Sequence, residues 1–166
     1  MDTLHPHLSL PPLLHIGHVV RDLQATAGQL AEMYGFVPDD TVFESEPDNT
    51  DDFLGTFDLH ITGARVRGEP ASFGARFGFM TLGTTQLELI QPLEGASPYT
   101  MFLESAGGDL HHLAFVVPSI DERLRQWTSA GMTGTVLLDA PLPNGGRIVN
   151  VENLPGHLIV ELIQRG

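Results

Sequence analysis

The chain contains no cysteine. Disulfides, thiolate nucleophiles and cysteine metal sites are excluded at once. It contains no lysine either: all eight basic residues are arginines, against 21 acids, for a net charge of −13. A surface this acidic repels phosphate backbones, so nucleic acid is not an expected partner. Many of the acids fall in Asp39–Asp58, a polar stretch that reads as a solvated loop. No apolar run approaches the ~20 residues that span a bilayer, so no membrane partner is expected. The opening Met-Asp-Thr-Leu-His-Pro lacks the basic start of a secretory leader. With no cysteine to oxidise, a cytoplasmic location is the expectation.

What is present is a repeat. At 166 residues, 42% hydrophobic and 17% charged, the chain suits one buried core or two small modules sharing one. The string Glu-Leu-Ile-Gln occurs at 88–91 and again at 161–164. Upstream of each lies a matching opening. His15-Ile-Gly-His-Val-Val-Arg-Asp-Leu aligns without a gap on His112-Leu-Ala-Phe-Val-Val-Pro-Ser-Ile. Each opening reads as a short β-branched strand, then a helix. Asp22 caps the first helix, with Leu23, Ala27, Leu30, Ala31 and Tyr34 at helical spacing and Gly35 as the stop. Ser119 caps the second, with Ile120, Leu124, Trp127 and Thr128 as the stripe and Gly131 at its end. Three strand-like segments follow each helix: Phe57–Arg67, Ala75–Leu82 and Gln86–Gln91, then Gly134–Leu138, Gly146–Val151 and His157–Gln164.

The expected architecture is therefore α+β, two βαβββ modules in tandem. Residues 1–12, with three prolines, form an N-terminal arm, and its His5 and His7 read as solvated. The first module covers 13–93, a Gly/Ser/Pro-rich linker 94–109, and the second module 110–166. His15 to Glu88 is 73 positions and His112 to Glu161 is 49. The surplus falls in an inserted acidic loop at about 37–56 and in Arg67–Phe73.

Strand side chains alternate. His15, Gly17 and Val19 share one face, and His112, Ala114 and Val116 the equivalent one. The small Gly17 and Ala114 leave room beside each histidine. Ile16, Val20, Leu113, Phe115 and Val117 point the other way and suit helix packing. By the same alternation His18 and His111 project away from the centre. His60 and His157 receive no role. Glu88 and Glu161 stand at equivalent places on the last strand of each module. A lone strand histidine is ordinarily a hydrogen-bonded core residue, and a lone strand glutamate ordinarily faces solvent. Four of them at equivalent places of a repeat point instead to a shared site. Two buried carboxylates are costly unless a cation compensates them. Two imidazoles and two carboxylates suit one divalent ion: Zn, Ni, Co, Mn or Fe.

These stretches, with Thr85–Leu93 and Gly145–Asn150, resemble the vicinal-oxygen-chelate superfamily of glyoxalases, epimerases, extradiol dioxygenases and bleomycin-resistance proteins. The nearest likeness is to its glyoxalase I and methylmalonyl-CoA epimerase branch. The resemblance implies that the two modules form a curved, mixed eight-stranded sheet around a metal site, with His15, Glu88, His112 and Glu161 as metal ligands. It implies proton transfer next to a carbonyl, by an isomerase, epimerase or lyase, with two adjacent substrate oxygens on the metal. It makes Glu161 the expected base and Glu88 the alternate. The substrate would be a small molecule with adjacent oxygens, such as an acyl-CoA or a hydroxy-carbonyl compound. Arg76 is a candidate contact for an anionic group, and Arg147 a pocket-edge residue. A homodimer fits the family. The epimerases carry a further glutamate on the strand before the fourth. Here that strand reads Ala75–Leu82 with no acid, and the aligned position falls at about Gly78. Glu69 is the nearest substitute in sequence. Two other readings remain: an extradiol-type dioxygenase, which uses two histidines and one carboxylate, and a non-catalytic binding or resistance protein.

Overall fold

The strands predicted from the repeat close into a ring. The computed structural model describes residues 9–39, 54–152, 154 and 156–166. His5 and His7 of the arm, and most of the acidic loop, lie outside the described residues. The first module comprises β1 (His15–Val19), α1 (Leu23–Tyr34), a two-residue β2 (Val37–Pro38), β3 (Thr56–Val66), β4 (Glu69–Leu82) and β5 (Thr85–Pro92). A helix α2 (Pro98–Ala106) leads to the second module: β6 (Asp109–Val116), α3 (Ile120–Ser129), β7 (Thr135–Pro141), β8 (Arg147–Glu152) and β9 (Val160–Gln164).

The modules are built alike. In the first, β1 runs parallel to β5, which pairs antiparallel with β4 and so with β3. In the second, β6 runs parallel to β9, which pairs antiparallel with β8 and so with β7. Two antiparallel seams join them, β1 to β6 and β3 to β7. Eight strands thus close within one chain, with β2 added along β4.

Asp22 caps α1 by accepting the Ala25 N–H at 2.9 Å, and Gly35 ends it at φ 77°, a left-handed conformation that glycine adopts freely. Outside the ring, α1 buries Leu23 and Ala27 against Leu87, Leu89 and Met80. Trp127 and Ile120 of α3 pack on Val149, Val151 and Leu162. Inside lies a third core of Val19, Ile61, Phe73, Phe77, Ile90, Leu138 and Ile148, joined by Tyr99 from α2. Among the described residues no helix is long and apolar enough to cross a membrane.

Two expectations need correction. The joining segment is not a plain linker, since it holds α2, capped by Ser97 and started by Pro98. The surplus at Arg67–Phe73 is not a loop. It lengthens the β3–β4 hairpin, which turns at Arg67 and Gly68 (φ 50° and 86°). Glu69 sits exposed at that tip.

Candidate metal centre

β1, β5, β6 and β9 lie side by side, and each brings one residue to the centre. Gly17 on β1 is opposite both Glu88 and His112. Ala114 on β6 is opposite both His15 and Glu161. The smallness of these two residues is a packing requirement. A β-carbon on Gly17 would sit within the His112 ring's van der Waals shell.

The four side chains meet. His15 Nε2 lies 3.3 Å from Glu88 Oε2 and 3.5 Å from Glu161 Oε2, and His112 Nε2 lies 3.5 Å from each carboxylate. One donor atom from each residue falls within 4.8 Å of all the others. All four residues are buried. Neither imidazole Nε2 has a hydrogen-bond partner. The spacing is instead that of atoms arranged around a common point: donors held at about 2.1 Å by one ion stand about 3 to 4 Å apart. The donor set and its two orphaned nitrogens fit a divalent cation.

Charge in the cluster is strongly coupled. Burial drives the His15 imidazole down, but Glu88 and Glu161 outweigh burial and hold its pKa at about 10. Burial pushes the Glu88 carboxyl up, yet His15 and His112 hold it well below the usual carboxylate range.

Sequence alternation failed at His111. The β1–β6 register shifts after Gly17, so that His18 faces Leu110 and His111 is the bulged residue. The bulge turns His111 inward. Its Nδ1 is 3.0 Å from His112 Nδ1, and its ring packs edge-on against Tyr99 and Phe102 of α2. Burial and the neighbouring His112 push its pKa down to about 3, so it is neutral, and one of the two facing Nδ1 atoms carries the proton they share. With that proton on His112 Nδ1, the His112 Nε2 is the lone-pair nitrogen a cation requires. A cavity of about 300 Å3 is lined by Ile16, Phe102, His111, His112 and Leu158, with the His112 side chain itself fully covered.

Two further polar residues went unnoticed in the sequence. Asn150 on β8 is paired with Glu161 and fully buried. The Tyr99 phenol is pushed well above its usual range by burial, then by Glu161 and Glu88. The repeat could not mark Asn150, because 11 positions separate it from Glu161, whereas 9 separate the equivalent Phe79 from Glu88. The register also moves the position expected at Gly78. Phe79 faces inward opposite Glu88, while Gly78 backs onto Leu54 and Leu23 on the helix side.

Arg76 and Arg147 are not brought to the cluster. Arg76 stands on the outer face of β4 and makes a two-pronged pair with Asp58 at 2.7 and 2.9 Å. Arg147 bonds Asp139 twice and Asp121 once, each at 2.8 Å, tying β7 and β8 to the start of α3.

A family model described as Glyoxalase/Bleomycin resistance protein/Dioxygenase superfamily matches residues 14–149. That span holds three of the four cluster residues, and Glu161 lies beyond it. Among solved structures, methylmalonyl-CoA epimerase from Mycobacterium tuberculosis is similar at TM-score 0.62 and 20% identity, over 99% of this chain and 94% of that one. A variant of the Streptomyces coelicolor methylmalonyl-CoA epimerase, in complex with 2-nitronate-propionyl-CoA, gives TM-score 0.60 and 20% identity, over 95% and 96%. A hypothetical protein from Bacillus halodurans C-125 gives 0.62 and 18%, over 93% and 94%. At such identities the likeness is one of fold. Uncharacterized protein YqjC of Bacillus subtilis (strain 168) is 45% identical over 47 residues, which are 28% of this chain and 34% of that protein. The match thus spans about a third of that relative's length.

Proposed function

The chain belongs to the glyoxalase/bleomycin resistance protein/dioxygenase superfamily, and within it we propose a divalent-metal-dependent enzyme that moves a proton on the carbon next to a carbonyl, as an isomerase, epimerase or lyase. The observation that carries this reading is the pair of buried imidazole nitrogens that meet two buried carboxylates at 3.3 to 3.5 Å without a well-formed hydrogen bond. His15, Glu88, His112 and Glu161 would hold the ion. A bound ion would supply Lewis acidity to two adjacent substrate oxygens, favouring the negative charge that develops as the neighbouring C–H ionises.

The protein's own groups handle the proton. Glu161 is the base in this reading. Glu88 is the alternate. The strand beside Glu88 presents Phe77 and Phe79 inward, which favours one carboxylate removing and returning the proton. His111 orients His112, and the apolar wall keeps water from the cluster.

The substrate is a small molecule with adjacent oxygens. The two epimerases of similar fold are named for methylmalonyl-CoA. The acidic charge and the carboxylate partners of Arg67, Arg76 and Arg147 favour a hydroxy-carbonyl compound over a polyanionic acyl-CoA. Glu88, 3.3 Å from His15, supports a four-ligand set over the three-ligand set of an extradiol dioxygenase.

Elemental analysis of chelator-free protein tests the reading. About one transition metal per chain is expected, lost in Glu88→Ala and Glu161→Ala, with solvent deuterium entering hydroxy-carbonyl substrates only when the ion is present. A wild type that takes up none of Zn, Co, Ni, Mn or Fe would end the proposal and turn attention to a binding role.

A further inference from the structure

The two-fold pattern of the ring is broken at one pair of equivalent positions. Opposite Glu88 stands Phe79, and opposite Glu161 stands Asn150. Cross-strand partners share a face, with Cβ atoms about 4.5–5.5 Å apart. Both side chains therefore enter the ring beside the cluster. Burial on either side of Asn150 agrees: Ile148 belongs to the inner core, while Val149 and Val151 pack under α3.

The two walls differ in chemistry. On the Glu88 side the wall is aromatic. Phe79 meets the His15 ring edge-on at 5.8 Å and stacks on Phe57 at 6.4 Å. On the Glu161 side the wall is an amide. Among the described residues, four buried side-chain polar atoms make no hydrogen bond of good geometry: the two ligand Nε2 atoms, and Nδ2 and Oδ1 of Asn150, although the Tyr99 phenol stands beside that amide. The first two are explained by a cation. The amide nitrogen cannot be so explained, since it has no lone pair to give. Burying an amide without well-formed hydrogen bonds is costly, and an apolar residue there would avoid the cost. The usual return for such a cost is recognition, because a site built to hydrogen-bond a substrate group rejects analogues that lack it.

We propose that Asn150 is a specificity-determining residue that receives a hydroxyl group carried next to the two chelating oxygens of the substrate. Its Oδ1 accepts from that hydroxyl, and its Nδ2 donates to a neighbouring substrate oxygen. The apolar part of the substrate lies toward Phe79 and Phe57. The substrate class is then a small hydroxylated carbonyl compound rather than a bare alkyl one. This rests on the proton-transfer reading of the same site, and the test separates the two.

Acetohydroxamate and glycolohydroxamate both offer two adjacent oxygens to a metal and differ by one hydroxyl. Their binding to the ion-loaded full chain is measured by titration calorimetry, for wild type and Asn150→Leu, with metal content checked in each. Wild type is expected to prefer glycolohydroxamate at least tenfold, and Asn150→Leu to keep its ion and lose the preference. Without any hydroxamate, Asn150→Leu is expected to melt at a higher temperature than wild type. If leucine does not fit, Asn150→Ala carries the same comparison of the two hydroxamates. A wild type without the preference, or a variant that retains it, overturns the role of Asn150 and leaves the metal reading standing. An ion-loaded wild type that binds neither compound overturns the chelate reading, and the role of Asn150 with it.

Discussion

The side-chain oxygen of Gln164 accepts the backbone N–H of Ile120, the first residue of α3, at 3.0 Å. Gln91 does the same for Leu23, the first residue of α1, at 2.9 Å. The repeated Glu-Leu-Ile-Gln therefore serves two faces of the sheet. Glutamate and glutamine are three positions apart, an odd spacing that sends them to opposite sides of a strand. The glutamate turns in to the cluster. The glutamine turns out and satisfies one of the N–H groups that every helix leaves open at its start.

Gln91→Ala and Gln164→Ala should each lower stability by about 1 kcal/mol, the ordinary worth of one such bond. Urea denaturation read by circular dichroism would show both midpoints reduced, with metal content unchanged. Equal loss of metal would mean that the helix starts and the cluster cannot be separated.

Gly17→Ala should empty the centre without removing a ligand. The added methyl would displace the His112 ring, so elemental analysis should show far less than one ion per chain. Gly28→Ala is the control. No atom lies near its new methyl, and replacing a helical glycine by alanine should stabilise α1 by roughly 0.5–1 kcal/mol.

Metal uptake should release a proton. In the metal-free protein His15, with its pKa at about 10, is charged at neutral pH, whereas a ligand must be neutral. Apparent affinity should therefore rise about tenfold per pH unit between 7 and 9. Calorimetry in buffers of different ionisation enthalpy counts the proton directly. The raised value has a second consequence for the metal-free chain. His15 contributes stability that is complete below its ordinary 6.5 and lost as pH climbs through about 10. A flat affinity profile would contradict the charged imidazole.

Glu161→Gln should slow deuterium exchange by about 10²- to 10⁴-fold, the usual contribution of a general base. Glu88→Gln should retain more exchange per bound ion. The reverse ranking would make Glu88 the base.

The parts of this fold with strong local signals were legible in the sequence. Asp22, Ser119 and Gly35 mark helix ends whatever surrounds them, and the histidines and glutamates repeat in register. α2 carried a comparable signal in Ser97-Pro98 and Gly107, but the glycine and serine of its surroundings read as linker. His111 was legible to no local rule. Its direction depends on a bulge, which is a property of two paired strands. Asn150 was hidden by unequal hairpins: only pairing, and not counting back from the glutamate, equates it with Phe79.

Because both seams of the ring lie within one chain, His15 and Glu88 are joined to His112 and Glu161 without help from a second molecule. Dilution should therefore leave a bound ion in place, where a centre shared between exchanged halves would empty as its dimer dissociates. Nor can two crippled chains repair each other. A mixture of Glu88→Ala and Glu161→Ala protein stays empty, whereas exchanged halves would restore one intact centre in each mixed pair.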